Sequence, residues 1–166
     1  MKKMIFLLAL SIISAMVFAQ QKLPDGIYLV TMLASDSEDA YTGNDKAAVS
    51  YHPHFVDDAP EEYYLIEISR YSFVPLELSL KPLLVNTKRE GKKVIMQFSG
   101  SATEKLKAFT AGNLKRYAVI VVNGMALTVH KIKEAVDSGV VQITNCMGRA
   151  CEELLPILQN HVMKLH

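Results

Sequence analysis

The chain has 166 residues, 50% of them hydrophobic, with 18 basic and 17 acidic side chains and a formal net charge of +1. That length suits one domain with a real core. The near-neutral balance lacks the clustered basic excess of a nucleic-acid-binding protein.

The first stretch, MKKMIFLLALSIISAMVFAQ, puts Lys2 and Lys3 ahead of an apolar run from Met4 to Phe18. With Val17-Phe18-Ala19 at its end, it has the layout of a secretory signal peptide cleaved after Ala19. The alternative is an uncleaved anchor, but the run falls short of the ~20 residues that span a bilayer. No cysteine follows directly, which disfavours a lipid-anchored form. The expectation is a protein of the bacterial periplasm or the cell exterior, divided into a signal peptide (1–19), an N-terminal strand with a long polar connection (20–61) and an α+β domain (62–166).

Pro24-Asp25-Gly26 is a turn signal before a strand-like run from Ile27 to Leu33. Residues 34–62 are rich in Asp, Ser, Pro and Gly without a sustained period. They read as a connection with a short strand over Ala47–Tyr51, and a loop of this length is functional or mobile. Tyr63–Ile68 reads as a strand. Leu76, Leu78 and Leu80 alternate, but Pro82 interrupts that run. Lys88–Gly91 is a polar turn, followed by a strand with Val94, Met96 and Phe98 on one face.

GSATEKLKAFTAG is the clearest helix. Ser101 and Glu104 have capping-box spacing, Ala102, Leu106 and Phe109 share a face, and Gly112 is placed to end the helix in a left-handed conformation. Asn123-Gly124 then predicts a type I′ hairpin turn, because both central residues of that turn need positive φ. A two-residue turn pairs Val122 with Met125, Ile120 with Leu127 and Ala118 with Val129 on one apolar face. The other face would hold Val121 with Ala126, Val119 with Thr128, and Tyr117 with His130. Tyr117, Thr128 and His130 on that less apolar face are a candidate interaction surface. Lys131–Ser138 reads as a short helix ended by Gly139, and VVQIT as the next strand. The last segment has helical spacing at Cys151, Leu154, Leu155, Leu158, Val162 and Leu165, with Pro156 kinking it or starting its second half. The fold class this predicts is α+β, a mixed or antiparallel sheet with helices packed on one face.

Cys146 and Cys151 are a candidate disulfide, which secretion permits. A bridge requires Cys146 to precede the helix and would stabilise the fold by roughly 2 kcal/mol for so small a loop. Two buried free thiols are the alternative reading. The spacing is not the Cys-x-x-Cys of a redox motif, and two cysteines without a nearby histidine make a poor zinc site.

The tempting cluster is YHPHFVDD. His52 and His54 point the same way along an extended chain, and Asp57 or Asp58 could complete a metal site. An exposed polar loop shaped by Pro53 is the plainer reading, since no further ligand follows at a recognisable spacing. Asp36, Glu38, Asp39 and Asp45 lack the order of a calcium loop. There is no Gly-x-Ser-x-Gly elbow and no phosphate-binding glycine loop. No cofactor is implied, and no residue is singled out as catalytic.

YAVIVVNGMALTVHKIKEAVDSGVVQIT, residues 117–144, resembles the SecD/SecDF family of protein-export subunits, in the head subdomain of their first large periplasmic domain. The matching residues are Val119–Val122, Asn123-Gly124, Ile132, Gly139 and Gln142-Ile143-Thr144. EYYLIE, KVIMQFSGSATEKLKAFT and CEELLPILQ match upstream and downstream in order, so the resemblance spans residues 62–160. Asn123 stands where the family usually has Asp, and His130 where Pro is common. The family's membrane helices, which carry its proton-coupled carboxylates, have no counterpart here. The resemblance therefore implies a stand-alone, non-enzymatic binding or interaction domain whose partner is a polypeptide or an envelope protein. A small metal-dependent enzyme using His52, His54 and Asp57, and a purely structural envelope protein, are the alternatives.

Overall fold

The computed structural model describes residues 23–34, 43–51, 65–88, 91–144 and 149–163. Among them are eight strands and two helices: β1 (Gly26–Ala34), β2 (Lys46–Tyr51), β3 (Leu65–Pro75), β4 (Leu83–Thr87), β5 (Gly91–Gln97), α1 (Gly100–Gly112), β6 (Tyr117–Val122), β7 (Met125–Lys131), β8 (Val140–Ile143) and α2 (Ala150–Met163).

Five strands close into a barrel in the order β1-β3-β2-β7-β6, while β4, β5 and β8 form a separate three-stranded sheet with β5 in the middle. Within the barrel β2 and β7 run parallel through Ser50–Met125 and Tyr51–Ala126, and the other pairings are antiparallel. The expected single sheet with helices on one face is thus corrected to a mostly β architecture of a barrel and a second sheet. The reason lies in two strands that are apolar at nearly every position.

In β6, Val119 and Val121 enter the barrel interior with Tyr28, Val30, Val49, Ile66 and Ile68. Ala118, Ile120 and Val122 point the other way, into a layer shared with Val94 and Met96 of β5, Leu106 and Phe109 of α1, and Leu154 and Leu158 of α2. β1 divides in the same way, with Tyr28 and Val30 inward and Ile27 and Leu29 outward. A strand buried on both faces needs cover on both sides. The barrel supplies one side; the helices and second sheet supply the other. Each buried Val or Ile contributes ~1.5–3 kcal/mol, so these two strands hold both cores.

The Asn123-Gly124 turn has φ of 53° and 78°, as a type I′ turn requires. Beyond the turn the expected register fails. Val122 and Val121 pair with Met125 and Ala126 as expected, but Ile120 pairs with Thr128 and Ala118 with His130. The shift between Ile120 and Val121 leaves Leu127 as an extra residue, a β-bulge. Leu127 joins the outer layer while Val129 turns into the barrel.

Two helix details also differ. Ser99, not Ser101, caps α1, and it makes no side-chain capping bond. Ser101 lies inside the helix and donates from Oγ to Glu77 Oε2 at 3.2 Å. α1 does end at Gly112, but the left-handed residue that follows is Lys115, with φ of 66°. The segment 132–139 forms no helix. Its backbone is bonded outward instead: Ile132 N–H donates to Arg116 O at 2.8 Å, Lys115 N–H donates to Ile132 O at 2.8 Å, and Val136 N–H donates to Thr110 Oγ1 at 2.9 Å. α2 carries Pro156 in its interior.

Candidate functional site

A cleft of about 440 Å³ opens between α1, the end of β7, the segment 132–136 and β8. Its floor is apolar: Ile27 of β1, Leu106 and Phe109 of α1, Ala118 and Ile120 of β6, and Ile132. Val136, Val140 and Val141 form its sides, and His130, Lys131, Lys133 and Glu134 stand along the rim with Gln142 and Thr144.

Each wall has a local cause. Thr110 is buried, and its hydroxyl donates to Leu106 O at 2.8 Å while accepting Val136 N–H. That one side chain fastens the irregular segment to α1 and sets the width of the cleft. Gly139, with φ of 68°, turns the chain into β8. Its carbonyl accepts Phe98 N–H at 2.9 Å, which starts the β5–β8 ladder. A Cβ at Gly139 would lie 2.2 Å from Thr103 Oγ1, so the close approach of α1 and β8 needs glycine there.

The bulge decides where the residues of the expected interaction face go. His130 sits opposite Ala118 and lines the cleft, half-buried. Thr128 is fully buried, and among the described residues its Oγ1 has no hydrogen-bond partner. Tyr117 packs against the barrel cluster, with Lys131 Nζ 6.0 Å from its ring centroid. Of the three, His130 alone lines the cleft. Sequence reasoning missed Ile132, Val136, Val140 and Val141 as a wall of this cleft. The available signal was two valines in a short strand beside a helix-like segment broken by Gly139.

Among the described residues, three groups outside the cleft have displaced protonation. Burial, reinforced by the Asp25 carboxylate, pushes the Tyr28 phenol up to about 12, and its hydroxyl donates to Pro24 O at 2.6 Å. Burial likewise raises Tyr51 to about 12. The Lys92 ammonium, hydrogen-bonded and ion-paired to Glu152, holds that carboxyl below its ordinary value. Glu67, buried in the barrel wall, pairs with Lys46 at 2.8 Å and accepts from Thr31 Oγ1 at 2.6 Å.

Among the described residues no group of three or more His, Cys, Asp or Glu could hold a metal ion. His52, His54, Asp57 and Asp58 lie outside the described residues, as do Asp36, Glu38 and Asp39. Cys151 is buried and disulfide-bonded, and Cys146 lies outside the described residues. No described helix is long and apolar enough to cross a membrane.

No protein family profile matches the chain, and no curated protein does. Over about half its length the chain is similar to SecDF in two solved structures. One, of SecDF as a membrane component that enhances protein export, aligns at 21% identity with a TM-score of 0.42 and covers 51% of this chain and 40% of that one. The other, SecDF in a super-membrane-facing form, aligns at 20% identity with a TM-score of 0.43 and covers 50% of this chain and 11% of that one. The likeness thus spans less than half the length of either SecDF chain.

Proposed function

We propose that this chain is a non-enzymatic binding domain of the bacterial cell envelope, exported by residues 1–19 as a cleaved signal peptide, and that its cleft takes segments of polypeptide. The observation that carries the reading is the cleft itself. It has an apolar floor framed by a few polar rim groups, the composition of a ligand site. The sequence resemblance to the SecD head points to the same class of partner.

The test is fluorescence anisotropy with a short labelled peptide of alternating valine and serine carrying glutamate at each end. Saturable binding in the micromolar range is expected, with no binding of an all-serine peptide of equal length. Val136→Glu, which puts a charge in the cleft wall, abolishes the signal while circular dichroism stays unchanged. Absence of saturable binding to the native protein contradicts the reading.

A further inference from the structure

β8 is an edge strand, with β5 on one side and the cleft on the other. Its backbone orientation follows from one bond. Gly139 O accepts Phe98 N–H, so Gly139 directs its polar groups toward β5. In an antiparallel ladder this alternates, and the β5–β8 register continues through Gln97–Val140, Met96–Val141 and Ile95–Gln142. Val141 and Ile143 therefore face β5, while Val140 and Gln142 turn their N–H and C=O groups outward. Val140 N–H is taken by Ser138 Oγ at 3.2 Å. Among the described residues nothing bonds the backbone N–H or C=O of Gln142 on the outer edge.

A backbone donor and acceptor of one residue, left open among the described residues and bordering an apolar cleft, match one ligand class: an extended peptide backbone. We propose, resting on the peptide-binding reading above, that β8 is a recognition strand. A peptide would add to its outer edge as a fourth strand, paired through Gln142. Alternate apolar side chains would enter the cleft over Phe109, Ile132 and Val136. Charge adds a second selection. Lys131 and Lys133 line the rim against Glu134, and Lys115 and Arg116 are held beside it by their backbone bonds to Ile132. The occupant is therefore an apolar strand flanked by carboxylates.

The test uses the same labelled peptide and two substitutions at one position. Gln142→Pro removes the outward N–H without touching the β5 ladder, as proline is tolerated on a solvent-facing edge. Gln142→Ala removes the side chain, which accepts from Lys93 Nζ at 3.1 Å, but keeps the N–H. Gln142→Pro should weaken binding about tenfold, and Gln142→Ala, which keeps the outward N–H, should weaken it much less. If Gln142→Pro does not fold, N-methylation scanning of the peptide against the native protein replaces it. Methyl groups on alternate residues then weaken binding, and those between do not. Binding that is lost in Val136→Glu but indifferent to both Gln142→Pro and N-methylation overturns strand addition and leaves the peptide-binding reading standing. No binding to the native protein overturns both. A dimer in sedimentation that dissociates in Gln142→Pro, with no displacement by peptide, makes a second copy the occupant and overturns the proposal.

Discussion

Asn123 donates its backbone N–H to Asp25 Oδ1 at 2.7 Å, across 98 positions of sequence. The bond ties the tip of the β6–β7 hairpin to the turn that starts β1, and Asp25 O accepts Leu76 N–H at 3.0 Å from the far end of β3. One residue thus joins three barrel elements at a corner. Asp25→Ala leaves the Asn123 donor without its protein partner and should cost about 1–2 kcal/mol in urea unfolding. Asp25→Asn keeps an acceptor and should recover part of the loss. Equal stabilities for both variants and the native protein would show that the bond contributes nothing.

Gly139→Ala should be the most damaging single methyl addition among the described glycines on the cleft side. It meets Thr103 Oγ1 at 2.2 Å and Cγ2 at 2.9 Å, on a left-handed backbone. Overpacking and strain together predict a loss of about 2–4 kcal/mol. Adding Thr103→Ala removes the two shortest contacts but leaves Thr103 Cβ at 3.1 Å and the backbone strained, so the double variant should recover only part of the loss. A thermal melt of Gly139→Ala that matches the native protein would show that the helix slides freely over β8.

Much of this was legible in the chain. The Asn-Gly turn, the alternation of Val94, Met96 and Phe98, and the helix ending at Gly112 follow from local rules, and the structure has all three. What was not legible is non-local. No periodicity announces the bulge at Leu127, since Ala126, Leu127, Val129 and their neighbours are apolar enough to serve either face. Lys131–Ser138 has helical spacing at Ile132, Ala135 and Val136, but Thr110 and Arg116 supply bonds to its backbone that a sequence window cannot see. The barrel depends on β1 and β6 being covered twice, which shows in the sequence only as uninterrupted apolar runs.

Alkaline pH should weaken the fold through Tyr28. Its phenol ionises at about 12 in the folded state against an ordinary 10.0, so the folded form holds its proton longer than the unfolded chain does. The stabilisation is complete below pH 10.0 and is lost as pH rises toward about 12. Tyr28→Phe should flatten that decline, leaving the part due to Tyr51, whose phenol is raised in the same way. At neutral pH it should cost about 1 kcal/mol for the lost bond to Pro24 O. An alkaline stability profile identical in the two proteins would contradict the assignment.

Cys151 is disulfide-bonded, and we propose Cys146, the only other cysteine in the sequence, as its partner. Denatured, unreduced protein should then bind no maleimide, and reduction should lower stability by about 2 kcal/mol. Thiols that react before reduction would show that Cys146 and Cys151 are not bridged.

Docking of polypeptide in the cleft beside β8 can be read from amide NMR during titration with the valine–serine peptide. Shifts should cluster at Val140–Thr144, Ile132–Val136 and the end of α1, with slowed exchange at the Gln142 amide. Shifts centred instead on the β4 edge, where Leu80 and Leu83 are exposed, or no shifts at saturating peptide, would contradict it.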